Sequence, residues 1–349
     1  MNDMVRVPSE SLLHFTTEVF ERVGVPGDEA RLIATSLVEA DLTGVDSHGV
    51  SRVPIYLKRI ETKVVNPVAR LEVVQEYPGA VVFDGCNSMG IVTGIRVMDV
   101  LLEKADTAGA VFATVRNSNH FGIAAYFTRR ALSKEMIGFA ASNAPSTMAP
   151  WGGIRPYLGT NPFSVAIPAG KELPIVLDMA TSVVAQGKII LAAKEGKSIP
   201  VGWAITKTGE PTTDPKEALE GTVLPFGGPK GYGIALLIDI LSGVLSGAAF
   251  GAYLNNMWNN FTDPQNVGHC FAVVDVKKFL PLDEFKEKMD RMILDIKSNP
   301  RAKGVEEIYL PGELEYRNRI RNLTEGVPLS GKVYADLVQA GKRLGVAFK

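Results

Sequence analysis

Only two of the 349 residues are cysteine, Cys86 and Cys270. Two thiols build neither a disulfide framework nor a cysteine metal cluster, and a reducing cytoplasm is the simplest expectation. Charge of one sign is not in excess either: 37 Lys and Arg against 38 Asp and Glu leave a net charge of -1. That balance points to no nucleic acid and no anionic membrane as partner. Residues 1–8 lack the apolar core of a signal peptide. The common nucleotide and hydrolase motifs are missing too. No G-x-G-x-x-G follows a strand, and Gly228-Pro229-Lys230-Gly231 is too short for a Walker loop. There is no G-x-S-x-G elbow and no histidine–acid spacing for zinc, so no metal is expected. One apolar run, residues 231–254, is long enough to span a bilayer. Asp239 inside it would be costly in lipid, and Gly243, Gly247 and Gly251 share one helical face. A buried helix of a soluble protein is expected there.

What is present suits a globular chain of one large domain or two ordinary ones: 46% hydrophobic and 21% charged residues. Leu12, Phe15, Val19 and Val23 stripe a first helix that Gly24 stops. A second helix runs from Ala30 to Ala40 with Asp28 placed to cap it, and a third passes through Ile60. Strands are expected at 71–74 and 80–84 across a Pro78-Gly79 turn, then at 111–115, 136–143, 164–168, 175–178, 202–206 and 271–276. Helices are expected at 95–108, 124–132, 181–193 and 282–296, and at the C-terminus behind a Ser330 cap. Residues 145–162 and 224–233 read as glycine-proline loops, the second holding Lys230. With helices at both ends and mixed elements between them, the pattern predicts an α+β protein whose termini pack as one helical layer.

Histidine is scarce as well, with His14, His48, His120 and His269 the only four. His120 falls in Asn117-Ser118-Asn119-His120-Phe121-Gly122, between a predicted strand and helix. Such loops aim catalytic groups from a rigid scaffold, and an imidazole exchanges protons near neutrality. An inert turn histidine explains this hexapeptide equally well. A second loop, Gly44 to Arg52, gathers Asp46, Ser47, His48, Ser51 and Arg52, with Tyr56 one helical turn further on. Arg52 could hold a carboxylate by two parallel hydrogen bonds, or be a surface ion pair. His48 could be an acid, a base or a loop residue without a task. Lys230 could neutralise a phosphate. Asp178 could accept ribose hydroxyls or cap the next helix. His14 and His269 read as structural, since nothing polar gathers around them in sequence.

Collected in order, the stretches Asp46-Ser47-His48-Gly49, Asn119-His120-Phe121-Gly122, Pro150-Trp151-Gly152-Gly153, Gly159-Thr160-Asn161-Pro162, Asp178-Met179-Ala180-Thr181, Gly228-Pro229-Lys230-Gly231-Tyr232-Gly233 and Leu310-Pro311-Gly312-Glu313 make the chain resemble the type-2 malate/L-lactate dehydrogenase family. That family includes ureidoglycolate, sulfolactate and diketogulonate oxidoreductases. The resemblance implies a non-Rossmann fold, a mostly antiparallel sheet domain (residues 76–311) packed with a helical domain from both ends (1–75 and 312–349). It implies an NAD- or NADP-dependent 2-hydroxy acid dehydrogenase, NAD favoured, usually a homodimer, acting on a small carboxylate. Carried over, His120 resembles the proton acceptor, with His48 as the alternative acid/base and Ser47 beside it. Arg52, Tyr56 and Thr160 resemble substrate contacts. Ala144, Asp178, Met179, Ala180, Lys230, Gly312 and Glu313 resemble cofactor contacts. A cyclic-imine reductase of the same fold and a non-catalytic binder are the rival readings.

Overall fold

The computed structural model describes residues 4–348. It begins with strand β1 (Met4–Val7) and helices α1 (Ser9–Glu21), α2 (Gly27–Leu42) and α3 (Val53–Glu61). Gly24 ends the first helical turn as expected, with φ +89°. Asp28 does not cap α2: Pro26 holds the N-cap position and Asp28 sits in the first turn. There its carboxylate complements the positive helix end.

The middle alternates β2 (Glu72–Tyr77), β3 (Ala80–Asp84), α4 (Gly90–Ala108), β4 (Ala110–Ser118), a single turn α5 (Ala125–Thr128), β5 (Ile137–Ser142), β6 (Phe163–Ile167) and β7 (Ile175–Met179). Then come α6 (Gln186–Glu195), the two-residue strands β8 (Ala204–Ile205) and β9 (Thr222–Val223) flanking α7 (Pro215–Glu220), α8 (Pro229–Asp239), β10 (Val267–Val274) and α9 (Leu282–Lys297). The chain closes with α10 (Glu313–Glu325), β11 (Val327–Ser330) and α11 (Gly331–Leu344). Seven strands form one sheet in the order β2-β3-β4-β10-β5-β6-β7. Only β3 and β4 run parallel; the other neighbours are antiparallel. The fold is thus α+β with a mixed, mostly antiparallel sheet. The strand β2 crosses residue 75, where the helical part was expected to end.

The two ends of the chain are tied together. β1 pairs antiparallel with β11, Met4 opposite Ser330 and Val7 opposite Val327. Ser330 then caps α11, its hydroxyl accepting the Val333 N–H at 3.3 Å. One core runs from Phe15, Phe20 and Leu37 of the terminal helices to Phe83, Val115 and Phe271 of the sheet. A smaller cluster, including Met148, Leu158, Ile189 and Val223, lies under the 145–225 region.

Several local expectations give way. The helix predicted from Thr181 starts only at Gln186. Thr181 N–H and hydroxyl both donate to Thr160 O (2.9 and 3.0 Å), and Val183 N–H donates to Leu224 O at 2.9 Å. Those bonds hold the backbone extended. Residues 129–134 continue α5 as a 3-10 helix rather than an α-helix. The strand expected at 202–206 shrinks to β8. Lys230 is not in a loop but in the first turn of α8, behind Pro229 at a position where a missing N–H costs nothing. The run 231–254 is not one buried helix. It passes from α8 into a π-helical turn, Ile240–Val244, and Gly247 and Gly251 then take positive φ in turns. Leu237, Val244 and Leu245 are more than half exposed. Gly243 and Gly251 both serve close approach: a Cβ would lie 2.9 Å from Ala249 O at the first and 2.6 Å from the Tyr157 ring at the second. No helix among the described residues is long and apolar enough to cross a membrane.

Candidate active site

The loop after α2 is folded by one buried carboxylate. Asp41, 3% exposed, accepts the Val50 N–H at 2.7 Å. Gly49 passes directly over it; a Cβ would sit 2.0–2.2 Å from the carboxylate atoms. Burial pushes the Asp41 pKa up to about 8, against the lowering pull of the Val50 N–H. The loop forms two short 3-10 turns, Asp46–His48 and Val50–Arg52, on either side of Gly49. They project Ser47, His48 and Arg52. Ser47 Oγ lies 2.9 Å from His48 Nδ1.

The second loop follows β4. Asn119, 4% exposed, donates from Nδ2 to Ser88 O at 2.9 Å and to Asn87 Oδ1 at 3.0 Å. Helix α4 starts so close beneath it that a Cβ on Gly90 would be 2.0 Å from Asn119 O. His120 N–H donates to Gln265 Oε1 at 3.3 Å. The ring thus held reaches Tyr56, whose hydroxyl lies 2.5 Å from His120 Nδ1. The Gly122 N–H points at the same nitrogen, at 3.3 Å. The His48 and His120 rings stack with centroids 5.4 Å apart and planes 25° off parallel. Residues 48, 52, 56 and 120 therefore meet in one chain.

Both imidazoles are neutral at pH 7. Burial, then the nearby Arg52 charge, brings the His48 pKa down to about 3. Burial, then His48, Arg52 and His269, holds His120 well below 6.5. Each histidine is half-buried. The Arg52 guanidinium lies over the Trp258 indole, 4.8 Å from its centroid. Among the described residues no carboxylate pairs with it, and its Nε is buried without a partner. Burial weakens its hold on its proton, partly countered by Tyr56.

The remaining histidines separate. His269 on β10 is fully buried, and polar groups do gather around it, contrary to the sequence reading. Its Nδ1 and Nε2 lie 2.8 Å from the hydroxyls of Ser142 and Ser118. Its ring stacks on Phe121 at 4.6 Å, with planes 1° apart. Both nitrogens are satisfied, so the structural role stands. His14 lies on the surface of α1, 3.5 Å from Glu18.

The other candidates line a second stretch of backbone. Ala144 N–H donates to Asn161 Oδ1 and Asn161 Nδ2 to Ala235 O of α8, both at 2.9 Å. Gly159 faces Ala144 O with no room for a Cβ. Thr160 carries the carbonyl that receives Thr181, directly after Met179 and Ala180. Asp178 at the end of β7 accepts the Ala125 N–H at 2.9 Å, joining this stretch to the chain just after His120. Its side chain stays exposed, although the surrounding protein pushes its pKa upward against that hydrogen bond. Pro311 O accepts the Val176 N–H at 2.9 Å, and Gly312, at φ +96°, lies against Val176. Glu313 is 8% exposed, its two oxygens taken by Lys297 Nζ (2.6 Å) and Leu310 N–H (3.2 Å). Lys230 is exposed at the start of α8, without an ion pair among the described residues.

A family model described as malate/L-lactate dehydrogenase matches residues 7–338. The chain belongs to the malate/L-lactate dehydrogenase family. A malate dehydrogenase of Pyrococcus horikoshii is 41% identical over 350 residues, 98% of this chain and 96% of that protein. An L-sulfolactate dehydrogenase of Methanocaldococcus jannaschii is 39% identical, over 94% of each chain. The solved structure of sulfolactate dehydrogenase from that organism matches with a TM-score of 0.93 at 37% identity, covering 99% of this chain and 98% of that one.

Reading this family member from sequence missed four residues that shape the site: Asp41, Gly49, Gln265 and Trp258. Asp41 carried a weak signal, as an acid on the apolar stripe of a helix. Gly49 lay inside a quoted motif, but only the fold shows what crowds it. Gln265 and Trp258 reach the site through a loop that no local pattern marks.

Proposed function

We propose that this chain is an NAD- or NADP-dependent dehydrogenase that transfers a hydride between a small 2-hydroxy acid and nicotinamide. One observation carries the reading: a half-buried Arg52, its Nε buried without a partner, has no carboxylate partner among the described residues and stands beside two neutral imidazoles. A cation in that state calls for an anion. A guanidinium offers two parallel donors that match a carboxylate. The malate and sulfolactate dehydrogenases named above support a substrate of that class.

In oxidation, Arg52 holds the substrate carboxylate and His120 takes the hydroxyl proton. Tyr56 Oη and the Gly122 N–H both meet Nδ1 on the far side of the ring and hold its orientation. The substrate carboxylate neutralises Arg52 and so removes one cause of the depressed His120 pKa. The base then gains affinity for the proton as substrate arrives. Ser47 and His48 hydrogen-bond the developing carbonyl oxygen. Fixing both reactants lowers the entropic barrier.

The nicotinamide supplies the hydride acceptor in this direction and the donor in the other. Lys230, unpaired at a helix N-terminus, fits its phosphates, and the open Asp178 carboxylate fits ribose hydroxyls. Ala144, Thr160, Met179, Ala180 and Gly312 line the same stretch, with Glu313 set through its ion pair to Lys297. This reading puts a dinucleotide on a scaffold other than the doubly wound parallel sheet. A homodimer and a cytoplasmic location belong to the same proposal.

The test is a panel of malate, lactate, sulfolactate and ureidoglycolate with NAD and NADP, run on wild type and Arg52→Lys. Turnover of at least one 2-hydroxy acid is expected, with KM for it rising at least tenfold in the variant. Turnover only of a cyclic imino acid with NADPH would move the reading to C=N reduction.

A further inference from the structure

We propose that Trp258 is a positioning residue for Arg52, delivered by a loop that Arg59 clasps to α3; the inference rests on the 2-hydroxy acid reading above. Arg52, Tyr56 and Arg59 stand at i, i+4 and i+7, so they share one face along α3. The loop containing residues 255–262 lies along that side at three points. Arg59 Nη1 donates to Asn260 O at 2.8 Å and to Met257 O at 3.3 Å. The Lys58 ammonium lies 3.7 Å from the Phe261 ring centroid. At the near end the Trp258 indole meets Arg52 at 4.8 Å.

Arg59 is 3% exposed, and among the described residues no carboxylate pairs with it. The hydrogen bonds of its guanidinium go to the carbonyls of this loop. A buried arginine committed to backbone carbonyls is an anchor. The loop is also braced from within. Trp258 N–H donates to Asn256 Oδ1 at 2.8 Å, Asn255 Nδ2 to Pro264 O at 2.9 Å, and Asp263 N–H to Asn260 Oδ1 at 2.9 Å. The indole is thus held in place although it is 53% exposed.

The placement has a chemical consequence. A guanidinium donates hydrogen bonds in its plane and stacks by its faces. With the Trp258 indole 4.8 Å from the guanidinium carbon, water is kept off that side, and donors remain for a carboxylate. Contact with the indole also limits the rotamers of a long side chain that makes no hydrogen bond or ion pair among the described residues. Trp258 touches Arg52 and acts through it.

The experiment measures KM, kcat and nicotinamide binding by fluorescence for Trp258→Leu, Trp258→Phe and Arg59→Met, on the best 2-hydroxy acid of the panel. Trp258→Leu is expected to raise KM roughly three- to tenfold, with kcat within about twofold and nicotinamide affinity unchanged. Trp258→Phe, which keeps an aromatic face, should recover most of the loss. Arg59→Met should shift KM the same way, because the loop is released. An active wild type with an unchanged KM in Trp258→Leu overturns the Trp258 proposal alone. A phenylalanine variant no better than leucine does so too. A wild type inactive on every 2-hydroxy acid overturns the functional reading, and the positioning role falls with it.

Discussion

A base is useful only if it is unprotonated when substrate arrives, and the depressed pKa values of His48 and His120 provide that. The sign follows from the cause. Burial and the Arg52 charge disfavour the imidazolium, so the proton is lost at a pH below the ordinary 6.5. The pH profile of kcat/KM for oxidation should therefore stay flat down through pH 6.5 and fall only further into acid. A half-activity point at 6.5 would show that the site histidines are solvated. His120→Ala should lower kcat about 10² to 10⁴-fold, measured against the same hydroxy acid. At this scale the sequence was informative: polar loops with His48, Arg52 and His120 stood out against apolar surroundings. What it could not give was the bond from Tyr56 to His120, 64 residues apart. Helical spacing relates Tyr56 to Arg52 but says nothing of the strand it faces.

The element that organises the site is the pair of short turns around Gly49. Their geometry rests on the Val50 N–H reaching Asp41. Gly49→Ala puts a methyl where the Asp41 carboxylate already is. Overpacking of this kind costs about 1–3 kcal/mol, so Tm should fall and kcat/KM with it, since His48 and Arg52 ride on the loop. Adding Asp41→Ala opens the space, and the double variant should recover part of the Tm but not the activity, since the Val50 bond is gone. A Gly49→Ala enzyme with wild-type Tm and kcat/KM would show that the loop is adaptable. Elements with strong periodicity were legible: α1, α9 and α11 with its Ser330 cap all lie close to where the apolar stripes put them. The misses share a cause. Residues 181–185 were read as the start of a helix, but Thr160 and Leu224 claim the N–H groups of Thr181 and Val183 from outside the segment. The glycine-rich start of α8 reads as loop, although Pro229 was a helix-start signal. The β1–β11 pair joins ends more than 300 residues apart, and nothing local announces it.

For the whole molecule, the buried titratable groups pull in opposite directions. His269, fully buried, is pushed down to about 3, and His48 and His120 shift the same way. Between these values and 6.5 the unfolded chain binds more protons than the fold. This contribution is fully present above 6.5 and is lost as pH falls. Asp41 does the reverse. Its folded pKa is raised from 3.8 to about 8, so the fold binds the extra proton in that interval. The Asp41 contribution is fully present below 3.8 and is lost as pH rises through 8. Asp178 and Asp239 shift up as Asp41 does, so below 6.5 three histidines face three carboxyls, while above it the carboxyls act against few opposing groups. The urea midpoint should therefore decline as pH rises above 6.5. Asp41→Asn keeps an oxygen for the Val50 N–H but cannot ionise, so in that variant the alkaline decline should become shallower. A midpoint that rises steadily from pH 6.5 to 9 in the wild type would mean that Asp41 is ionised in the folded protein, and the neutral carboxyl beneath Gly49 would have to be abandoned.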